Sequence, residues 1–221
     1  MTWQFIIFIR IFLGNIIYPV FLKKIANKTD KVRQQFWLYF FSAVLSLGLI
    51  LWTKDFAFKP ALLIIIALGV LNSAAIYFNL RAVSVSLSKS SALTQFDDII
   101  SILLGYIFLN ETRFLNFTII IGILLCLGAA MLFINFKEIF SKDKEQSAKK
   151  LLFLKYVAGY SIIWGLVGFS MRYFSIEGVS LTEYVFSWYS GAWIGSIFLL
   201  LFRGKKAPIE KVGKKGFFIL F

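Results

Sequence analysis

The sequence predicts an all-α fold, a polytopic bundle of membrane-spanning helices, and three observations carry that reading. Of 221 residues, 59% are hydrophobic and 16% charged, against roughly 45–50% and about 25% in an average globular domain. Mean hydropathy is +0.80, more apolar surface than a water-soluble core of this length can hide. The apolar residues fall in long runs near the roughly 20-residue length that crosses a hydrocarbon core of about 30 Å. Those runs are apolar on every side, Ile119 to Leu127 for example, whereas strands of a membrane barrel alternate over about ten residues.

Seven spans follow in order. Trp3–Leu22 has no basic stretch before it and no small-residue cleavage site after it, so it stays in place as a helix rather than a removable signal. Pro19 kinks it or ends its regular part. Phe36–Trp52 comes after the polar linker Lys23–Gln35, and Ala61–Leu80 begins directly after Pro60. Val85–Leu109 opens on the Val83–Ser88 alternation, which imitates a strand; its serines cap or solvate a first helical turn. Phe114–Phe136 follows, then the longest polar connector, Lys137–Lys150. Beyond it lie Leu151–Phe174, Tyr184–Phe202 and an apolar stub, Phe217–Phe221, too short to cross.

Charge sets partners and orientation. The net charge is +13, from 24 Lys and Arg against 11 Asp and Glu. The basic residues sit in short connectors rather than on one amphipathic face, which excludes nucleic acid as a partner and leaves membrane lipids. Apart from Arg10 inside span 1 and the four residues Lys54, Lys59, Arg113 and Arg172, every Lys and Arg falls on the side of the connectors after spans 1, 3, 5 and 7, Lys89 and Lys155 within the opening turns of spans 4 and 6. Such residues favour the cytoplasmic side, so the count places the N-terminus outside. With no His and one Cys, Cys126, inside an apolar run, there is no disulfide framework, no Cys/His metal set and no expected cofactor.

Ionisable groups inside a span mark function, because each costs about 2.5–3.5 kcal/mol at the bilayer centre on insertion scales. Arg10, Asp97 and Asp98 qualify. The two acids are adjacent, hence about 100° apart on a helix. Asp98 continues a polar stripe of Ser84, Ser88, Ser91, Gln95, Asp98, Ser101 and Gly105, which aims it at a watery cavity. Three readings of the pair stand: proton coupling or direct solute contact, a structural pair of Arg10 with Asp97, and a solvated position near the surface. The diphosphate-binding motif DDxxD fails, because its fifth position is Ser101, and no Gly-rich phosphate loop is present. An intramembrane enzyme is therefore not expected.

The candidate coupling and solute-contact residues are Asp98, Asp97, Gln95 and Arg10. The candidate cavity walls are Asn15 and Tyr18 in span 1, Asn72 and Tyr77 in span 3, Ser91 and Ser101 in span 4, Tyr160 and Trp164 in span 6, and Trp188 in span 7. Aromatic side chains with one polar atom suit an organic solute, although Trp and Tyr also gather at membrane interfaces. Gly191 and Gly195 form a GxxxG that lets helices approach closely, within the bundle rather than between copies.

Five spans precede Lys137, and a similar set begins after it. Aligning Leu13-Gly14 with Trp164-Gly165 pairs span 1 with span 6 and span 2 with span 7, and an odd number of spans per copy inverts the second copy. The stretch Ala75–Phe133, with its small-residue crossing, Ala/Ser-rich helix start, Leu109-Asn110-Glu111 close and Gly-spaced helix (Gly122, Gly128), resembles the EamA-like branch of the drug/metabolite transporter superfamily. In that family the close is usually Leu-Gly-Glu, so the resemblance makes Glu111 a recurrent family residue; a solvated pair with Arg113 explains it equally well.

The resemblance implies two five-helix inverted repeats, ten spans in all, around a central cavity that carries metabolites or drugs. On it, residues 1–136 form a first repeat, 137–150 a connecting loop, and 151–221 a partial second repeat. Asp97 stands near where the family often has Pro, and the chain stops three spans short. It is therefore expected to be a fragment of a longer protein; a complete short chain would need a second copy to finish the cavity. The family usually keeps both termini cytoplasmic, opposite to the count. The expected function is secondary transport of a small-molecule organic substrate by alternating access across a bacterial or archaeal cytoplasmic membrane, with Asp98 available for proton coupling. The alternatives are a non-transporting membrane scaffold or subunit, and an intramembrane enzyme.

Overall fold

The computed structural model describes residues 8, 12–17, 20, 23, 31–54, 56–133 and 144–202. Among them the secondary structure is helical throughout. A π-helical segment, Phe12–Ile17, is followed by α1 (Lys31–Thr53), α2 (Ala61–Val85), α3 (Leu87–Thr94), α4 (Phe96–Phe108), a 3-10 turn (Glu111–Phe114), α5 (Phe117–Phe133), α6 (Lys144–Ile176) and α7 (Leu181–Phe202).

Among the described residues five segments are long and apolar enough to cross a membrane: Lys31–Thr53, Ala61–Val85, Leu87–Phe108, Ala148–Ile176 and Leu181–Phe202. Seven were expected. Span 1 lies outside the described residues except at 8, 12–17 and 20, and with it the expected pairing of span 1 with span 6. Span 5 is present as α5, whose 17 residues reach only about 26 Å at 1.5 Å per residue. The expected connector also changes. Residues 144–150 are helical, so α6 runs 33 residues and its basic first turns extend beyond the apolar part.

Local chemistry sets the boundaries. Pro60 stands immediately before α2, where its missing N–H costs nothing. Ser86 is extended between α2 and α3, and its Oγ accepts the Lys89 N–H at 3.4 Å. Asn116 starts α5 by accepting the Ile119 N–H on Oδ1 at 2.9 Å. The end of α6 is a Schellman turn: Gly178 sits at φ +77, Val179 N–H donates to the Phe174 carbonyl and Gly178 N–H to that of Ser175. The start of α7 is a capping box, in which Glu183 N–H donates to Ser180 Oγ at 3.3 Å and Ser180 N–H to Glu183 Oε2 at 2.8 Å.

Packing centres on α2, which lies between α7 and α6; α1 packs on α7, and α4 on α6. The core joins Tyr39, Leu62, Ile65, Ile76, Leu80, Val167, Phe174, Tyr184, Trp188 and Ala192. The α2–α7 crossing is tight. A Cβ on Gly191 would collide with the Ile66 backbone, and one on Gly195 with Ser73 and the Val70 carbonyl. The expected GxxxG thus works inside the bundle. The opposite surfaces carry exposed apolar side chains, such as Leu45 and Leu132, as helices surrounded by lipid require.

Helix directions sort the charges. Phe36 meets Trp193 where Tyr39 meets Tyr189, and Gln35 bonds to the Ser73 carbonyl where Tyr39 bonds to Asn72, so α1 runs antiparallel to both α7 and α2. Phe78 stacks on Tyr156, which brings the start of α6 toward the last turns of α2. Lys31, Arg33, Arg81, Lys89, Lys149 and Lys150 consequently gather at one end. At that end Lys23 Nζ also donates to the carbonyls of Val83 (2.8 Å) and Ser84 (3.2 Å).

Candidate functional site

The segment expected as one continuous span 4 is broken. α3 ends at Thr94, Gln95 makes a turn, and α4 starts at Phe96. A half-helix N-terminus therefore lies inside the segment Leu87–Phe108, with Asp97 and Asp98 in its first turn. Carboxylates suit that place, since the first N–H groups of a helix have no intrahelical acceptor and carry partial positive charge. Asp97 Oδ1 accepts the Asp98 N–H at 2.9 Å. Two glycines of α6 let this half-helix come close: a Cβ on Gly165 would strike Ile100 and approach the Asp97 carbonyl, and one on Gly168 would strike Ser101.

Between α4, α6, α2, α1 and α7 lies a cavity of about 860 Å³. Asp97, Asp98, Gln95, Ser91 and Ser101 line it from the broken segment, Asn72 and Asn79 from α2, Tyr160 and Trp164 from α6, and Trp188 from α7. The wall rings form a chain, with centroids 5.8 Å apart for Tyr160–Trp164, 5.9 Å for Trp164–Trp188 and 5.6 Å for Tyr184–Trp188. Asn72 is 2% exposed. Its Nδ2 donates to Tyr39 Oη at 3.0 Å, while its Oδ1 has no partner among the described residues. Ser90, which also lines the cavity, is fully buried with an unpartnered Oγ.

Of the expected stripe, Ser91, Gln95, Asp98 and Ser101 line the cavity, whereas Ser84, Ser88 and Gly105 are not among its lining residues. Asp97 joins them. On a continuous helix the two acids would diverge; at a helix start Asp97 folds back over the first turn, so both carboxyls share the space. Tyr77, expected in the wall, is a correction. Its hydroxyl accepts from Arg81 Nε at 3.0 Å and Nη2 at 2.8 Å, with the guanidinium 5.2 Å above its ring. The α2 face that lines the cavity is Asn72, Ile76, Asn79 and Val83, and Tyr77 lies about 100° round from Ile76. Arg10 and Tyr18 lie outside the described residues, as does the side chain of Asn15, so the Arg10–Asp97 pair falls there too.

Sequence reasoning missed Tyr39, Ser42, Asn79, Ser90, Thr94, Tyr184 and Tyr189 as wall residues. Asn79 was findable, two helical turns beyond Asn72 on the same face. Tyr39 and Tyr189 carried no signal, because their place depends on how α1 crosses α7. Glu111 pairs with Arg172, whose Nη2 and Nε lie 3.2 and 3.3 Å from Glu111 Oε1; the side chain of Arg113 lies outside the described residues. Asn110, where the resembled family usually has Gly, is left-handed at φ 55, a conformation Asn tolerates better than most side chains. Among the described residues no cluster of His, Cys, Asp or Glu is set to hold a metal ion.

Neither a curated protein nor a solved structure matches the chain. One family model does, that of the EamA-like transporter family, over residues 3–135. That match includes the broken segment, both cavity carboxyls and the Asn110-Glu111 turn. With its five long apolar helices the protein is an integral membrane protein, and it belongs to the EamA-like transporter family.

Proposed function

We propose that this chain is a secondary transporter that moves a small organic solute by alternating access, with Asp97 and Asp98 as the groups that contact the solute or exchange a proton for it. The observation that carries the reading is the cavity. At about 860 Å³ it has the size of small-molecule sites, about 300–1,000 Å³. It has aromatic walls and, among the described lining residues, charge only at Asp97 and Asp98. Broken helices whose ends face a central site recur in transporters, because the break exposes backbone dipoles to the solute and leaves a place to bend. The Gln95 turn supplies such a place.

Purified full-length protein in proteoliposomes tests this with a panel of cationic, anionic and neutral organic solutes, with and without a proton gradient. Gradient-responsive uptake that is abolished by Asp98→Asn or Asp97→Asn, in protein that still inserts, is the expected result. Uptake unchanged in both variants removes the acids from the mechanism. No flux of any solute from a protein that instead associates stably with a partner favours a scaffold role.

A further inference from the structure

We infer that the basic end of the bundle holds an anionic phospholipid, its phosphate between Lys31 of α1 and Arg81 of α2, whatever solute the cavity carries. Position comes first. Gln35 Nε2 donates to the Ser73 carbonyl, and α1 and α2 are antiparallel, so one turn nearer the basic end Lys31 comes opposite Tyr77. Arg81 folds back to the same level. Its Nε and Nη2 donate to Tyr77 Oη at 3.0 and 2.8 Å, and its guanidinium lies 5.2 Å from the ring centroid. Lys31 and Arg81 are near enough that each opposes the other's charge.

A phosphate between them replaces that repulsion with charge-assisted hydrogen bonds. Arg81 is prepared for it, because hydroxyl and ring hold the guanidinium in place while using two of its five N–H donors. Nearby acids do not supply the counter-charge. Residues 23–35, 81–89 and 137–155, the stretches that the positive-inside count puts on this side, carry 13 Lys and Arg against 4 Asp and Glu, so a surplus persists with every acid paired. Depth then selects a lipid. Lys31 opens α1 and Arg81 lies one turn before the end of α2, where the apolar helices leave the hydrocarbon, and Tyr77 has the apolar body and polar tip that suit this boundary. Deeper along α1, Trp37 and Leu45 are exposed, a surface for acyl chains. Anionic headgroups are drawn to basic residues between helices at this level.

The test titrates the purified full chain in detergent with phosphatidylglycerol, with phosphatidylcholine of the same acyl chains and with inorganic phosphate, and reads bound lipid by native mass spectrometry. Phosphatidylglycerol should bind saturably and about tenfold tighter than phosphatidylcholine, and inorganic phosphate at equal concentration should not displace it. Arg81→Gln and Lys31→Gln should each weaken phosphatidylglycerol about fivefold and leave phosphatidylcholine unchanged. Tyr77→Phe alters no charge; by freeing Arg81 it should weaken phosphatidylglycerol about threefold, and it stands in should a charge variant fail to fold. Lys155→Gln, the same loss of charge on α6, should change binding by less than about twofold, since water and salt screen a distant cation. Equal binding of the two lipids, or displacement of the lipid by inorganic phosphate, would overturn the assignment. So would equal losses in Arg81→Gln and Lys155→Gln, or an unaltered Tyr77→Phe, because each would show a diffuse basic surface without a built site.

Discussion

The Lys59 ammonium lies 3.0 Å from Glu183 Oε2, although the two residues are 124 positions apart in the chain. The same carboxylate accepts the N–H groups of Ala57 at 2.9 Å and Ser180 at 2.8 Å, and Lys59 Nζ also donates to the Gly178 carbonyl at 2.7 Å. One side chain therefore caps α7 and holds the segment before α2 against the α6–α7 turn. The Arg172–Glu111 pair joins α6 to the turn after α4 at the same end, opposite the basic connectors. Ion pairs between residues distant in sequence thus tie together the end that carries few positive charges.

Glu183 should matter more to stability than its partner. Glu183→Ala removes the cap and the acceptor for Ala57, and should cost about 2 kcal/mol. Lys59→Met should cost under about 1 kcal/mol, since Lys59 is 37% exposed and water screens such a charge. Thermal unfolding in detergent measures both; equal losses would mean that the ion pair, not the cap, is the stabilising element.

The α2–α7 crossing gives a sharper contrast. Gly191→Ala drives a methyl into the Ile66 backbone, and should destabilise by about 2–3 kcal/mol because two helix axes must separate. Gly122→Ala meets nothing within 4 Å, and should be neutral or stabilise by up to about 1 kcal/mol through helix propensity. Comparing the melting midpoints of the two variants checks this, and similar losses would show that the crossing tolerates separation.

At the turn after α4, Asn110→Gly should hold or gain up to about 1 kcal/mol, whereas Asn110→Val should lose about 1–2 kcal/mol, since a branched side chain resists positive φ. The measurement is again the unfolding midpoint, and a Val variant as stable as Gly would imply that the turn re-forms with another backbone conformation.

Orientation is open to direct measurement. With Cys126→Ala as background, Lys54→Cys should react with a membrane-impermeant maleimide in intact cells, and Lys149→Cys only after permeabilisation, as the positive-inside rule requires. The reverse pattern would place the basic connectors outside and bring the chain into line with both termini cytoplasmic.

Much of this was written locally along the chain. Hydropathy runs located the five described segments that can cross, residue spacing placed Ser91, Gln95, Asp98 and Ser101 on one face, and Ser180-Leu181-Thr182-Glu183 spells a capping box. These features depend on neighbours within a turn or two, so composition and period suffice to read them.

The break at Gln95, the gathering of Asp97 with Asp98, the Tyr39 hydroxyl under Asn72 and the Lys59–Glu183 clasp arose otherwise. Each depends on which faces of separate helices meet and at what distance. That in turn depends on small residues such as Gly165, Gly168 and Gly191 letting backbones approach, a relation between distant positions that no local pattern encodes.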